Sequence, residues 1–155
     1  MSQVLQSGVE VEIQATPDRV WSVVSDYASD TRWRKGIVEM TPDVAGAPRV
    51  GTNVREVLRL GGRTYTTDTT VTGTGPGMSY RFAGAGTSGT VRGGRSVRAG
   101  ERPGSARFRY DVELEPDALP RAAAPVLAWW LRHSLRRDVR RLRGMLEQAW
   151  PEIQA

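Results

Sequence analysis

The chain contains no cysteine, one histidine (His133) and one lysine (Lys35). Without cysteine there is no disulfide, no thiolate metal ligand and no cysteine nucleophile. A single histidine leaves nothing from which to assemble a zinc site, and a Ser-His-Asp triad has no support. No motif points to a cofactor, and the carboxylates are too scattered to suggest a metal centre. No apolar run approaches the roughly 20 residues needed to span a bilayer. The first residues, MSQVLQSGVEVE, lack the basic stretch followed by an apolar run that marks a secretory signal. The expectation is a soluble, cytoplasmic protein. The glycine pairs 61–62 and 93–94 lack the strand–loop–helix setting of a phosphate loop and read as turns or bulges.

What is present is a core. With 155 residues, 39% of them hydrophobic, and five tryptophans, residues 1–155 are expected to form one domain. The net charge is +5, and all but one of the 22 basic residues are arginine. Together with the many Gly, Ala and Val residues, this skew reads as the product of a GC-rich bacterial coding sequence. Most arginines alternate along candidate strands or ring the final helix, whereas nucleic-acid binding calls for a clustered basic face. They are read as a solvated surface.

Val9, Val11 and Ile13 alternate with Glu10 and Glu12, the period of a strand with one wet face. Thr16 offers an N-cap and Pro17 a first helical residue, followed by the apolar face of Val20, Trp21, Val23 and Val24. A short apolar segment, Gly36 to Met40, leads into a turn-rich linker from Thr41 to Gly51. Strands are expected over Asn53–Leu60, Arg63–Thr74, Met78–Ala83, Thr87–Arg98 and Ala106–Leu114, with Gly61-Gly62 as a hairpin turn. From Val126 to Trp150 the period becomes helical, with Pro125 as a potential kink. Leu127, Leu131, Leu135, Val139, Leu142 and Leu146 form one stripe, and Arg132, Arg136, Arg137, Arg140 and Arg143 lie opposite. The elements imply an α+β fold in which a curved antiparallel sheet wraps a long C-terminal helix, a helix-grip.

The alternating first strand, the TPDRVW segment opening helix one, the SDY…W segment and the final RRLRGMLE resemble the START/Bet v 1-like (SRPBCC) superfamily. Its members include polyketide cyclases/dehydrases and lipid-transport proteins. The resemblance covers nearly the whole chain and carries no catalytic signature. It implies a cavity between sheet and helix that holds an apolar or amphipathic small molecule. It also places Trp33, with Tyr27 nearby, at the cavity mouth, as a gate or as packing against the last helix.

Polar residues on inward faces are the candidates for chemistry. Glu56 shares parity with Val54, Leu58 and Leu60, so it points into the grip unless a bulge turns it outward. Arg95 shares parity with Val91 and Val97, unless Gly93-Gly94 forms a bulge. Asp138 falls within the Leu131–Leu135–Leu142 stripe, where the plain alternative is an ion pair with Arg141. Together Glu56, Arg95 and Asp138 would form a polar cluster in an apolar grip. Tyr65, Tyr80, Phe82, Phe108 and Tyr110 share the apolar parity of their strands; core packing is the default reading, and with Leu135 they are the candidates to line a ligand space in which a buried phenol finds a partner. His133 is expected at the surface, which removes the commonest general base from the interior.

Three functions are compatible with this pattern. The leading one is a carrier or sequestering module for a hydrophobic or aromatic small molecule. A second is a cyclase/aromatase-like enzyme with Glu56, Asp138 and the tyrosines as acid and base and Arg95 stabilising an enolate. The balance leans away from catalysis because no histidine faces inward. A third is a basic protein that docks on nucleic acid or an anionic membrane through the last helix. That helix could equally pair two protomers as a homodimer.

Overall fold

The computed structural model describes residues 3–87 and 89–154, the last six of these by backbone alone. The alternating N-terminal segment forms strand β1 (Leu5–Ile13). Thr16 then caps helix α1 (Pro17–Val24) by accepting the Arg19 N–H at 3.3 Å. A 3-10 turn, Tyr27–Ser29, is held by the Asp26 carboxylate on the Ala28 N–H and runs into the single-turn helix α2 (Asp30–Trp33). Six strands follow: β2 (Ile37–Pro42), β3 (Asn53–Leu60), β4 (Arg63–Thr74), β5 (Met78–Gly86), β6 (Gly89–Ala99) and β7 (Ala106–Pro116). They form an antiparallel meander that β1 extends at the far edge, in the order β1-β7-β6-β5-β4-β3-β2. Helix α3 (Ala124–Gln154) closes the chain. This is the expected α+β helix-grip.

Three local expectations are corrected. Pro125 is the second residue of α3, where its missing N–H has no partner to lose, so it opens the helix and does not kink it. Strand β5 continues through Gly84 and Gly86, residues of low strand propensity, because the β4 backbone lies too close there for a side chain. A Cβ on Gly84 or Gly86 would fall 2.0 or 2.2 Å from the carbonyl oxygen of Asp68 or Thr66. Gly93-Gly94 is neither turn nor bulge: β6 stays in register with both neighbours through that pair.

The register fixes the concave face row by row. Val11, Phe108, Val97 and Met78 stand across one row, and Val9, Tyr110, Arg95 and Tyr80 across the next. The α3 stripe of Leu131, Leu135, Val139, Leu142 and Leu146 packs here with Ile13, Val20, Val24, Trp33, Phe108 and Tyr110. A second cluster, Tyr27, Ile37, Met40, Val54, Val71 and Tyr80, fills the space beneath the 3-10 turn. On the convex face the arginines pair across strands: Glu10 meets Arg98, Arg107 and Arg109, Asp111 meets Arg81, and Glu113 meets Arg92. Most are exposed, as expected of a solvated surface.

Candidate functional site

Unbroken register through Gly93-Gly94 sends the Arg95 side chain into the concave side, where it is 2% exposed. Its partner is Asp30, at the start of α2. The two make a fork of hydrogen bonds, Nη1 to Oδ1 at 3.0 Å and Nη2 to Oδ2 at 2.5 Å. Arg95 Nη1 also donates to the Val24 carbonyl at 3.1 Å, a free acceptor at the end of α1, and the Tyr80 hydroxyl donates to the same oxygen at 3.1 Å. The guanidinium lies over the rings of Tyr110 (4.5 Å) and Trp33 (4.9 Å). Burial works against its charge, but the Asp30 carboxylate and the surrounding phenols outweigh burial and hold Arg95 firmly protonated.

The charge chain continues outward. Four residues after Asp30, Arg34 returns Nη1 to Asp30 Oδ2 at 3.2 Å and reaches Glu56 Oε2 at 3.0 Å. Burial opposes the Arg34 charge too, and the Glu56 carboxylate, the Tyr110 phenol and the Asp30 carboxylate together more than offset it. Glu56 does face inward: β3 pairs with β4 without a register shift, and the irregularity lies on the other side, between β2 and β3. Its side chain keeps 24% exposure, so the chain Arg95–Asp30–Arg34–Glu56 runs from the sealed interior to a wet end.

Asp138 stands apart from this chain. It is buried on α3, accepts the Lys35 backbone N–H at 3.2 Å and touches Arg137, not Arg141. Burial pushes its carboxyl up, against the opposing pull of the Lys35 N–H and of Arg34 and Arg137. The expected cluster of Glu56, Arg95 and Asp138 is therefore replaced by one built on Asp30 and Arg34, which sequence reasoning missed. The available signal was their four-residue spacing on either side of Trp33, that of a helical ion pair.

The aromatic set divides in two. Trp33, Tyr80, Phe108 and Tyr110, with Leu135, are sealed in the core. Trp33 and Phe108 have no exposed surface, so Trp33 is not at a mouth and neither ring lines open space. Trp33 instead packs in T-shaped contacts with Phe108 and Tyr110, ring centroids 6.4 and 6.2 Å away. Burial raises the Tyr27 phenol to about 12 despite the nearby Arg95, and burial raises Tyr80 strongly as well.

Tyr65 and Phe82 differ. Across β3 to β7 the inward side chains of Leu58, Tyr65, Phe82, Val91 and Leu114 are only half-buried, as are the inward threonines Thr67 and Thr69. Here the concave face is apolar and incompletely covered, with hydroxyls on β4 and Glu56 paired to Thr67 across the ladder. His133 is exposed, as expected, and stacks on Trp129. Among the described residues no three His, Asp or Glu side chains come close enough together to hold a metal ion. No helix among them is long and apolar enough to cross a membrane.

The family model described as polyketide cyclase/dehydrase and lipid transport matches residues 6–147, nearly all of this fold. The chain belongs to that family. Solved structures agree on the family's helix-grip. A START superfamily protein from Mycobacterium smegmatis is 19% identical, with a TM-score of 0.77 over 93% of this chain and 98% of that one. The Zhui aromatase/cyclase from Streptomyces sp. R1128 is 15% identical, with a TM-score of 0.70 over 95% and 96%. Ara h 8.0201 is 13% identical, with a TM-score of 0.63 over 93% and 98%. No curated protein sequence matches significantly.

Proposed function

We propose that this member of the polyketide cyclase/dehydrase and lipid-transport family binds a ring-bearing, oxygenated hydrophobic small molecule in the open half of its concave face. The observation that carries this reading is the partial burial of inward-facing Leu58, Tyr65, Phe82, Val91 and Leu114. A soluble domain that needed these side chains only for stability would cover them. The hydroxyls of Tyr65, Thr67 and Thr69 and the Arg34–Glu56 pair supply the few convergent polar groups that orient a ligand in an apolar site. Glu56 and Arg34 replace Asp138 and Arg95 as the charged contacts, and Tyr65 and Phe82 are the aromatic ones.

Titration with the neutral fluorophore N-phenyl-1-naphthylamine tests the site. Saturable binding that weakens about tenfold in Phe82→Ala and in Leu58→Gln is the expected result, since each removes roughly one side chain of apolar contact. Unchanged affinity in both variants would move the ligand elsewhere.

A second reading, cyclisation of a polyketide chain, draws on the family description and on one feature of the groove. Glu56 is a part-exposed carboxylate beside a fixed guanidinium, which suits proton transfer next to a developing enolate. Turnover of a polyketone substrate that is lost in Glu56→Gln would favour it. Binding of the same substrate without turnover favours the carrier.

A further inference from the structure

Between residues 118 and 146 the chain carries seven arginines against the single carboxylate of Asp138, which faces inward. Along the outer side of α3, Val126, Trp129, His133, Arg136 and Arg140 recur at steps of three and four, with Arg132 beside them. Val126 is 67% and Trp129 56% exposed, large apolar side chains in open solvent at the start of the helix. The Trp129 indole lies flat on the His133 ring, with centroids 5.0 Å apart and planes 4° apart. With Arg132, Arg136 and Arg140 these two rings bound a shallow depression of about 300 Å³.

We infer that this face is a docking surface for an anionic lipid membrane. Its composition separates along the helix: apolar Val126 and Trp129 at one end, arginines without a facing carboxylate along the rest. That combination matches a lipid interface, where an indole sits at headgroup level and arginines meet phosphates. A second copy of the chain is a poor occupant, because pairing this face with itself would gather two sets of arginines with no carboxylate on either to neutralise them. Nucleic acid would satisfy the arginines but would leave Val126 without an apolar partner. The inference is independent of what the groove binds.

Co-sedimentation with vesicles tests it. At low salt the protein is expected to pellet with phosphatidylglycerol/phosphatidylcholine vesicles, to stay in solution with pure phosphatidylcholine, and to be released as salt rises. The Arg136→Ala/Arg140→Ala double variant should weaken partitioning about thirtyfold, and Trp129→Ala should weaken it several-fold. All these positions are exposed, so both variants should keep the wild-type melting midpoint and N-phenyl-1-naphthylamine affinity. Equal partitioning into both vesicle types, no partitioning, or full binding by the double variant would overturn the inference. So would a single-stranded oligonucleotide that binds more tightly than the vesicles and is lost in the double variant.

Discussion

The two faces of the sheet use the same residue types in opposite surroundings. On the convex face Glu10, Asp111 and Glu113 meet Arg81, Arg92, Arg98, Arg107 and Arg109 across neighbouring strands, with most of the guanidinium groups in solvent. On the concave side Arg95 and Asp30 are 2% and 0% exposed, and Arg34 and Glu56 carry the chain of charges outward to solvent. Exposed cross-strand pairs are screened and replaceable. A buried pair cannot be half removed, because the survivor is left desolvated without a counter-charge. The convex charges keep the sheet solvated. The concave ones tie four separate segments, the end of α1, α2, β6 and β3, into one unit whose last member, Glu56, is part-exposed.

Asp30→Ala should break that contrast most visibly. It leaves Arg95 buried and unpaired, and a loss of about 3–5 kcal/mol is expected in urea unfolding. Adding Arg95→Leu to Asp30→Ala should recover much of that loss, since the cost lies in the orphaned charge. Next come the buried phenols. Tyr27 stays neutral in the folded chain up to about 12 but ionises near 10.0 once unfolded. Its stabilising contribution is therefore intact below pH 10 and is lost as pH rises through about 12, a change of about 2–3 kcal/mol for the two-unit gap. Alkaline melting curves should show that decline, flattened in Tyr27→Phe.

Glu56→Gln, at the wet end of the charge chain, should cost only about 1 kcal/mol, measured by the same urea unfolding. Asp138→Asn should go the other way. The folded carboxyl titrates above its ordinary 3.8, so the ionised form is a burden at neutral pH that protonation relieves. The variant should melt higher than wild type at pH 7, and the difference should vanish below pH 3.8. On the convex side Arg92→Ala should leave the melting midpoint unchanged, and a fall comparable to that of Asp30→Ala would erase the distinction between the faces.

The fold was legible because it rests on periodicity. Val9 to Ile13, Ala106 to Leu114 and the leucine stripe of α3 declare their inward faces without tertiary information. The inward orientation of Glu56 and Arg95 followed from the same parity. Their partners did not, because pairing depends on how the short α1–α2 segment folds back under the sheet. Asp30 sits in a single helical turn, too short for a periodic signal, yet it is the residue around which both arginines assemble. For the same reason the sequence leaves Trp33 open between a gate and packing against the last helix, and it is buried in one cluster with the α3 leucines, beside Phe108 and Tyr110. The glycines of β5 and β6 read as interruptions, whereas they sit where neighbouring strands approach too closely for a Cβ.

Methyl and amide chemical-shift mapping during titration with N-phenyl-1-naphthylamine tests the groove most directly. The predicted result is saturable shifts at Leu58, Tyr65, Phe82, Val91 and Leu114, with Ile13 and Leu142 beneath α3 and the convex arginines unmoved. Shifts confined to the outer face of α3, or centred on Ile13 and Leu142, would contradict the assignment of the open half of the sheet as the binding site.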